Sequence, residues 1–205
     1  MSINLIKAER NLPDEVVKLC KEFSKKNGLM MRMNMYSFMA ASILNAPIED
    51  DDYVIEIGTY HGFTAIFVAR MLNYMGKNNK VVSIDPFDRL SGGVIGSHIK
   101  YMQNVNRQDL KEQCIAISSY SSEVASLLRG EIPFMIIDGG HKYENIKSDI
   151  ELYLPKLKIG GIAYLHDNDE IRYPGITRAI SELIRGNKKY NILMDDYYFI
   201  IERIS

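Results

Sequence analysis

The residues best suited to chemistry stand where apolar runs end. Asp138 closes "PFMIID", and His166, Asp167 and Asn168 close "GGIAYLHDN". His141 follows Asp138 by three residues in "DGGH". Two carboxylates and an amide oxygen are hard ligands of the kind Mg²⁺ takes, with water completing its shell. A divalent ion lowers the pKa of a hydroxyl and orients it for attack. An imidazole titrates near neutrality, so His141 is a candidate general base. A structural reading stands beside this one. In it Asp138 caps a turn, Asp167 solvates a loop, and His141 starts a helix beside a carboxylate. His166 can point into the sheet instead, because neighbouring strand residues face opposite sides.

A second set lies earlier, in "YVIEIGTYHGFTAIFVARML", residues 53–72. A strand holding Glu56 runs into a turn bracketed by Gly58 and Gly62, with Thr59, Tyr60 and His61 between them, and a helix follows. The next strand, in "KVVSIDP", ends on Asp85, where an acid can bind ribose hydroxyls. A pyrophosphate cofactor needs G-x-G-x-x-G so that the backbone can approach it closely. Counting from Gly58, the second and third glycines would be Tyr60 and Phe63, so that fingerprint fails. The chemistry left is a nucleoside cofactor without pyrophosphate. A side chain at Gly58 is expected to fill the space such a cofactor needs. The bland reading is a glycine-punctuated turn in any α/β protein.

These groups require strand ends to position them. Strands are read at 53–57, 80–85, 113–118, 133–138 and 161–166. Helices are read at 63–74, 98–106, 122–128, 144–154 and 175–184. Short continuous apolar strands alternating with helices predict a parallel sheet covered on both faces with right-handed crossovers. The closing pair "YNILMDD" and "YYFIIERI" predicts a hairpin. Before the first strand, helices are read at 14–26, with Asp14 as N-cap and Gly28 as its end, and at 34–44. Residues 1–51 are thus expected to form a helical substrate or cap segment, and residues 52–205 the cofactor-binding domain, as one structural unit.

Composition sets the outer limits. The 205 residues suffice for one domain; 46% are hydrophobic and 25% charged. A formal net charge of -1 gives no basic excess for nucleic acid or an anionic membrane. Cys20 and Cys114 lack C-x-x-C spacing and read as reduced buried thiols of a cytoplasmic protein. No apolar stretch reaches membrane-spanning length, and the first residues lack a signal-peptide core. Met31, Met35, Met39 and Ile43 share a helical face. That stripe is core, or it roofs the site against an apolar substrate, or it makes a homodimer contact. The glycine-rich 88–97 loop reads as a mobile lid or a plain connection.

The E-x-G-x-x-x-G turn resembles the first motif of class I S-adenosylmethionine-dependent methyltransferases. The run "IDGGHKYENIKSDIELYLPKLKIGGIAYLHD" resembles the bacterial methyltransferase domain 24 family, which includes metal-dependent O-methyltransferases of sugars and other natural products. It is similar, more distantly, to catechol-type O-methyltransferases. The resemblance spans most of residues 52–184. It implies an α/β, Rossmann-like, doubly wound and mostly parallel seven-stranded sheet with a C-terminal antiparallel hairpin strand. It implies S-adenosylmethionine held by Glu56, Gly58, Thr59, Tyr60, Gly62 and Asp85, the last on the ribose. Tyr120 and Ser121, in "ISSYSSEVA", would bracket the adenine, although Ser121 or Ser122 can equally cap the next helix. Mg²⁺ would lie on Asp138, Asp167 and Asn168, with Asp138 also beside the cofactor and, with His141, in the catalytic set. The expected partner is a small molecule bearing a hydroxyl, with neither nucleic acid nor membrane. Two readings from other classes remain: a nicotinamide-dependent oxidoreductase, which the failed fingerprint opposes, and a binding module without turnover. No N/D-P-P-Y motif for a flipped base is present.

Overall fold

A computed structural model describes residues 3–26, 33–87 and 96–205. Gly28, Met30, Met31 and nearly all of the glycine-rich loop lie outside the described residues, and with them the lid reading. The sheet contains β1 (Tyr53–Ile57), β2 (Lys80–Ile84), β3 (Cys114–Ile117), β4 (Ile132–Ile137), β5 (Leu157–Leu165), β6 (Tyr190–Asp195) and β7 (Phe199–Arg203). Their order is β3-β2-β1-β4-β5-β7-β6. The first five pair in parallel, and β7 is antiparallel to both β5 and β6. The strand order reverses between β1 and β4. That switch point opens a crevice at the carboxyl ends, where ligands of such sheets bind.

Alternation along each strand divides the core in two. Val54, Phe134, Ile136, Ile162, Tyr164 and Ile200 face one side. Ile55, Ile57, Met135, Ile137, Ala163, Leu165, Phe199 and Ile201 face the other. Both sets are buried, which is why these strands read as continuous apolar runs. The first face is covered by α1 (Leu5–Arg10), α2 (Asp14–Lys26), α3 (Met33–Asn45), α4 (Phe63–Tyr74) and α5 (Ser97–Arg107). The second is covered by α6 (Ser121–Val124), α7 (Tyr143–Tyr153) and α8 (Pro174–Leu183).

The N-terminal helices are built into the first core. Phe23 of α2, Tyr36 of α3 and Phe67 of α4 form an aromatic triangle with centroids 4.6–5.7 Å apart. Met35, Met39 and Ile43 are at most 2% exposed, so among the described residues the methionine stripe is core. Several local expectations need correction. Asp14 is the first helical residue rather than the N-cap; the Pro13 carbonyl already accepts from the Val17 N–H at 3.0 Å. The helix expected at 122–128 is a single turn, Ser121–Val124, with Tyr120 at its cap. The short α1 was not expected; Asn4 caps it by accepting from the Lys7 N–H at 2.9 Å.

Candidate active site

The glycine turn leaves β1 at the switch point. Gly58 and Gly62 have φ of +80° and +79°, a left-handed backbone that glycine adopts without strain. Close neighbours add a second requirement. A Cβ on Gly58 would lie 2.2 Å from the Asp138 carbonyl oxygen, and one on Gly62 would lie 2.6 Å from the Tyr101 ring. A side chain at Gly58 would therefore meet the backbone after β4 whether or not a cofactor is bound. Asp85 straps the turn to β2. One of its oxygens accepts from the N–H groups of Thr59 (2.9 Å) and Tyr60 (3.1 Å), and the other from Phe87 (2.7 Å). Tyr60 is 40% exposed and stacks on His61, centroids 3.6 Å apart.

Glu56 sits beneath the turn, 1% exposed. Burial raises its pKa to about 7, against the hydrogen bond donated by Ser83 at 2.6 Å. The Tyr101 hydroxyl in turn reaches Ser83 at 3.3 Å, so the carboxyl belongs to a buried polar chain. Beyond the end of β3, at the cap of α6, Tyr120 is 42% exposed. Ser121 follows it, with its hydroxyl on Asp149 at 2.5 Å.

The second cluster forms where β4 and β5 end side by side. Asp138, His141 and Asp167 offer donor atoms that all lie within 4.8 Å of one another. The His141 Nε2 is 2.8 Å from Asp167 Oδ2, and its ring stacks on Tyr173 at 4.4 Å. The hydrogen bond to Asp167 raises the His141 pKa, with burial opposing. His166 is 7% exposed, with Nδ1 3.2 Å from both Asp138 and Asp167, though not aligned for a full hydrogen bond to either. Burial would depress its pKa; the two flanking carboxylates outweigh that and lift it to about 10. Burial also works to raise the Asp167 pKa, yet hydrogen bonds from His141 and Tyr197 and the nearby charge of His166 hold it well below the carboxylate range.

Asn168 is turned toward the β6–β7 connection, where its Nδ2 donates to the Asp196 carbonyl at 2.8 Å. That bond fixes the amide's orientation and leaves Oδ1 buried without a partner. Tyr197 was not foreseen from the sequence. Its hydroxyl donates to Asp167 Oδ1, its carbonyl accepts from the Asn168 N–H at 2.8 Å, and its ring stands edge-on to His166. Only the antiparallel pairing of β7 with β5 brings it there, a long-range consequence with no local signal. Two carboxylates and an imidazole converge here, and the chemistry of that donor set fits a hard divalent cation; the orphaned amide oxygen belongs to the residue that follows Asp167.

Among the described residues no helix is long and apolar enough to cross a membrane. Comparisons with known proteins bear on the family. The uncharacterized protein R132 of Acanthamoeba polyphaga mimivirus is 23% identical over 170 residues, 80% of this chain and 73% of its own length. An O-methyltransferase from Bacillus cereus in complex with SAH superposes with a TM-score of 0.65 at 17% identity, covering 98% of this chain and 96% of that one. An rRNA methylase from Streptococcus thermophilus gives 0.64 at 15%, covering 87% and 100%. Identities this low speak to the fold alone. The family model described as a methyltransferase domain matches residues 55–168, from inside β1 to Asn168. A match over more than half of the chain decides its family: the protein belongs to the methyltransferase domain family.

Proposed function

We propose that this methyltransferase acts on a hydroxyl of a small molecule such as a sugar, a natural product or a phenol, and that the cluster after β4 and β5 is where that hydroxyl is activated. The observation that carries the reading is the convergence of Asp138, His141 and Asp167 within 4.8 Å beside the switch point. Solved O-methyltransferases of the same fold support it. Gly58, Thr59, Tyr60 and Gly62 form the near wall of the cofactor cleft, with Glu56 beneath them. Asp85 stands at the ribose end, and Tyr120 and Ser121 border the adenine.

Asp138, Asp167 and the free oxygen of Asn168 would hold a divalent cation, Mg²⁺ by donor type, which would lower the pKa of the acceptor hydroxyl. His141 donates Nε2–H to Asp167, which leaves Nδ1 to take the acceptor's proton. Asp167 then stabilises the imidazolium that results, as a carboxylate does for a catalytic histidine. Holding donor and acceptor in line contributes in its own right.

A second reading has its own observation. The His166 Nδ1 lies 3.2 Å from both carboxylates and can balance their charge without a metal. One experiment separates the two. Formation of S-adenosylhomocysteine is followed over a panel of sugars, phenols and polyols, with Mg²⁺ and after exhaustive chelation. Turnover lost on chelation and restored by Mg²⁺ is the expected result. Full turnover in the chelated protein would leave His166 as the balancing charge. Methylation of RNA in place of every small acceptor would overturn the acceptor class.

A further inference from the structure

Asp149 lies in α7 and is 3% exposed, a carboxylate that the chemistry above does not use. Its Oδ1 accepts the Ser121 hydroxyl at 2.5 Å. One turn further along the same helix face, the Tyr153 hydroxyl donates to the Ser121 carbonyl at 2.7 Å. Two side chains of α7 therefore grip Ser121, the first residue of α6, where the chain leaves β3. The other oxygen of Asp149 faces the loop after β4. A Cβ on Gly139 would lie 3.5 Å from Asp149 Oδ2 and 3.3 Å from Ile57 Cγ2, so the bare backbone at Gly139 fits between β1 and this carboxylate. Asp149 thus lies between the segment after β3 and the loop after β4. Burying it costs free energy that an apolar residue there would not, and burial pushes its pKa up to about 6 against the Ser121 bond.

We propose that Asp149 is a positioning residue of the cofactor site. Through Ser121 it fixes the loop after β3 against the Asp138–Gly139 segment, so the nucleoside end of the cofactor meets a preformed wall. This rests on the placement of Tyr120 and Ser121 beside the adenine. Preorganisation of this kind acts on affinity by removing the entropy cost of ordering a loop on binding. The hydroxyl and the carboxylate act as one unit, so removing either removes the effect.

Calorimetric titration with S-adenosylhomocysteine tests it, on wild type, Asp149→Ala, Ser121→Ala, the double variant and Asp149→Asn, each at a temperature where it is folded. Each alanine variant is expected to weaken binding about 10-fold, and the double variant no further than about 2-fold beyond the worse single. Asp149→Asn should recover most of the loss, because its amide oxygen still accepts from Ser121. Ser121→Ala leaves α7 intact and keeps the test open if Asp149→Ala does not fold. Single variants that bind within twofold of wild type overturn the proposal, and so do losses that add in the double variant. Backbone amide resonances of residues 119–121 in the wild type, followed as S-adenosylhomocysteine is added, test the placement separately. If they shift while Asp149→Ala binds normally, the placement stands and the role of Asp149 falls. If they do not shift, the placement falls and takes this proposal with it.

Discussion

Gly58 is constrained twice, by a φ of +80° and by the Asp138 carbonyl 2.2 Å from any Cβ it might carry. The first constraint costs a non-glycine residue about 1–3 kcal/mol. The second cannot be relieved without parting β1 from β4, because the Asp138 N–H donates to the Ile57 carbonyl at 2.8 Å on the same seam. Gly58→Ala is therefore expected to lose about 3 kcal/mol or more of stability in urea unfolding. A variant of wild-type stability that merely fails to bind S-adenosylhomocysteine would restore the simpler view that glycine clears room for the cofactor. Glu56 makes a prediction of another kind. Its carboxyl sits at about 7 in the fold against an ordinary 4.5. A raised acid stabilises the fold fully below its unfolded pKa, and that contribution is lost as pH rises through the folded value. The unliganded protein should thus lose up to about 3 kcal/mol from this group between about pH 4.5 and 7. Glu56→Gln keeps an acceptor for Ser83 and should flatten that slope. Parallel stability–pH curves for the two proteins would mean that the group titrates normally.

Individual elements differ in how far the sequence reveals them. β1, α2 and α4 have the expected bounds, since apolar runs and helical spacing are local signals. Asp138, His141 and Asp167 could be proposed together because each ends a strand or follows one closely, and a parallel sheet gathers such ends on one edge. α1 escaped notice because six residues carry too little periodicity to register. α6 was expected at 122–128 but begins one residue earlier, where Glu123 accepts from the Tyr120 N–H at 3.3 Å and Ser121 turns its hydroxyl to Asp149, and it stops at Val124 after one turn. The β6–β7 hairpin was legible as a hairpin, but where its tip goes depends on the register of β7 against β5, with Leu165 opposite Phe199. That register sets Tyr197 on Asp167 and Tyr198 between Phe38 and Tyr164. Burial and the Asp167 carboxylate both raise the Tyr197 pKa, so the phenol remains a donor. Tyr197→Phe removes one hydroxyl and leaves the ring packing in place. On an acceptor found in the panel it is expected to lower kcat about 10-fold while S-adenosylhomocysteine affinity stays within twofold, since the proposed cofactor wall is elsewhere. An unchanged kcat would make Tyr197 a strut for the hairpin and nothing more.

At the scale of the whole molecule, the sheet separates two cores, and only one of them is completed by the first 45 residues. Leu5, Val16, Cys20, Phe23, Met35, Tyr36, Met39 and Ile43 are all at most 3% exposed, and they pack in one cluster with Phe67, Phe134, Ile136 and Tyr164. The match to the methyltransferase domain begins only at residue 55. If the N-terminal helices were an added cap, residues 46–205 would fold without them. The packing argues otherwise. Their removal would strip the cover from Phe67 and from one face of the central strands, exposing apolar area at about 25 cal/mol per Å². It would also dissolve the Phe23–Tyr36–Phe67 triangle, whose ring pairs contribute about 0.5–1.5 kcal/mol each beyond burial. A domain of this size has a net stability of only about 5–15 kcal/mol, so these losses are of the same order as the whole. The full chain is expected to unfold in urea as one cooperative transition, with near-ultraviolet circular dichroism and tyrosine fluorescence changing together. Residues 46–205 alone should lack that transition, bind a hydrophobic dye and fail to bind S-adenosylhomocysteine. A truncated protein that melts cooperatively within a few degrees of the full chain would show that α1–α3 are a dispensable cap, and their place in the first core would then be a consequence of the fold rather than one of its supports.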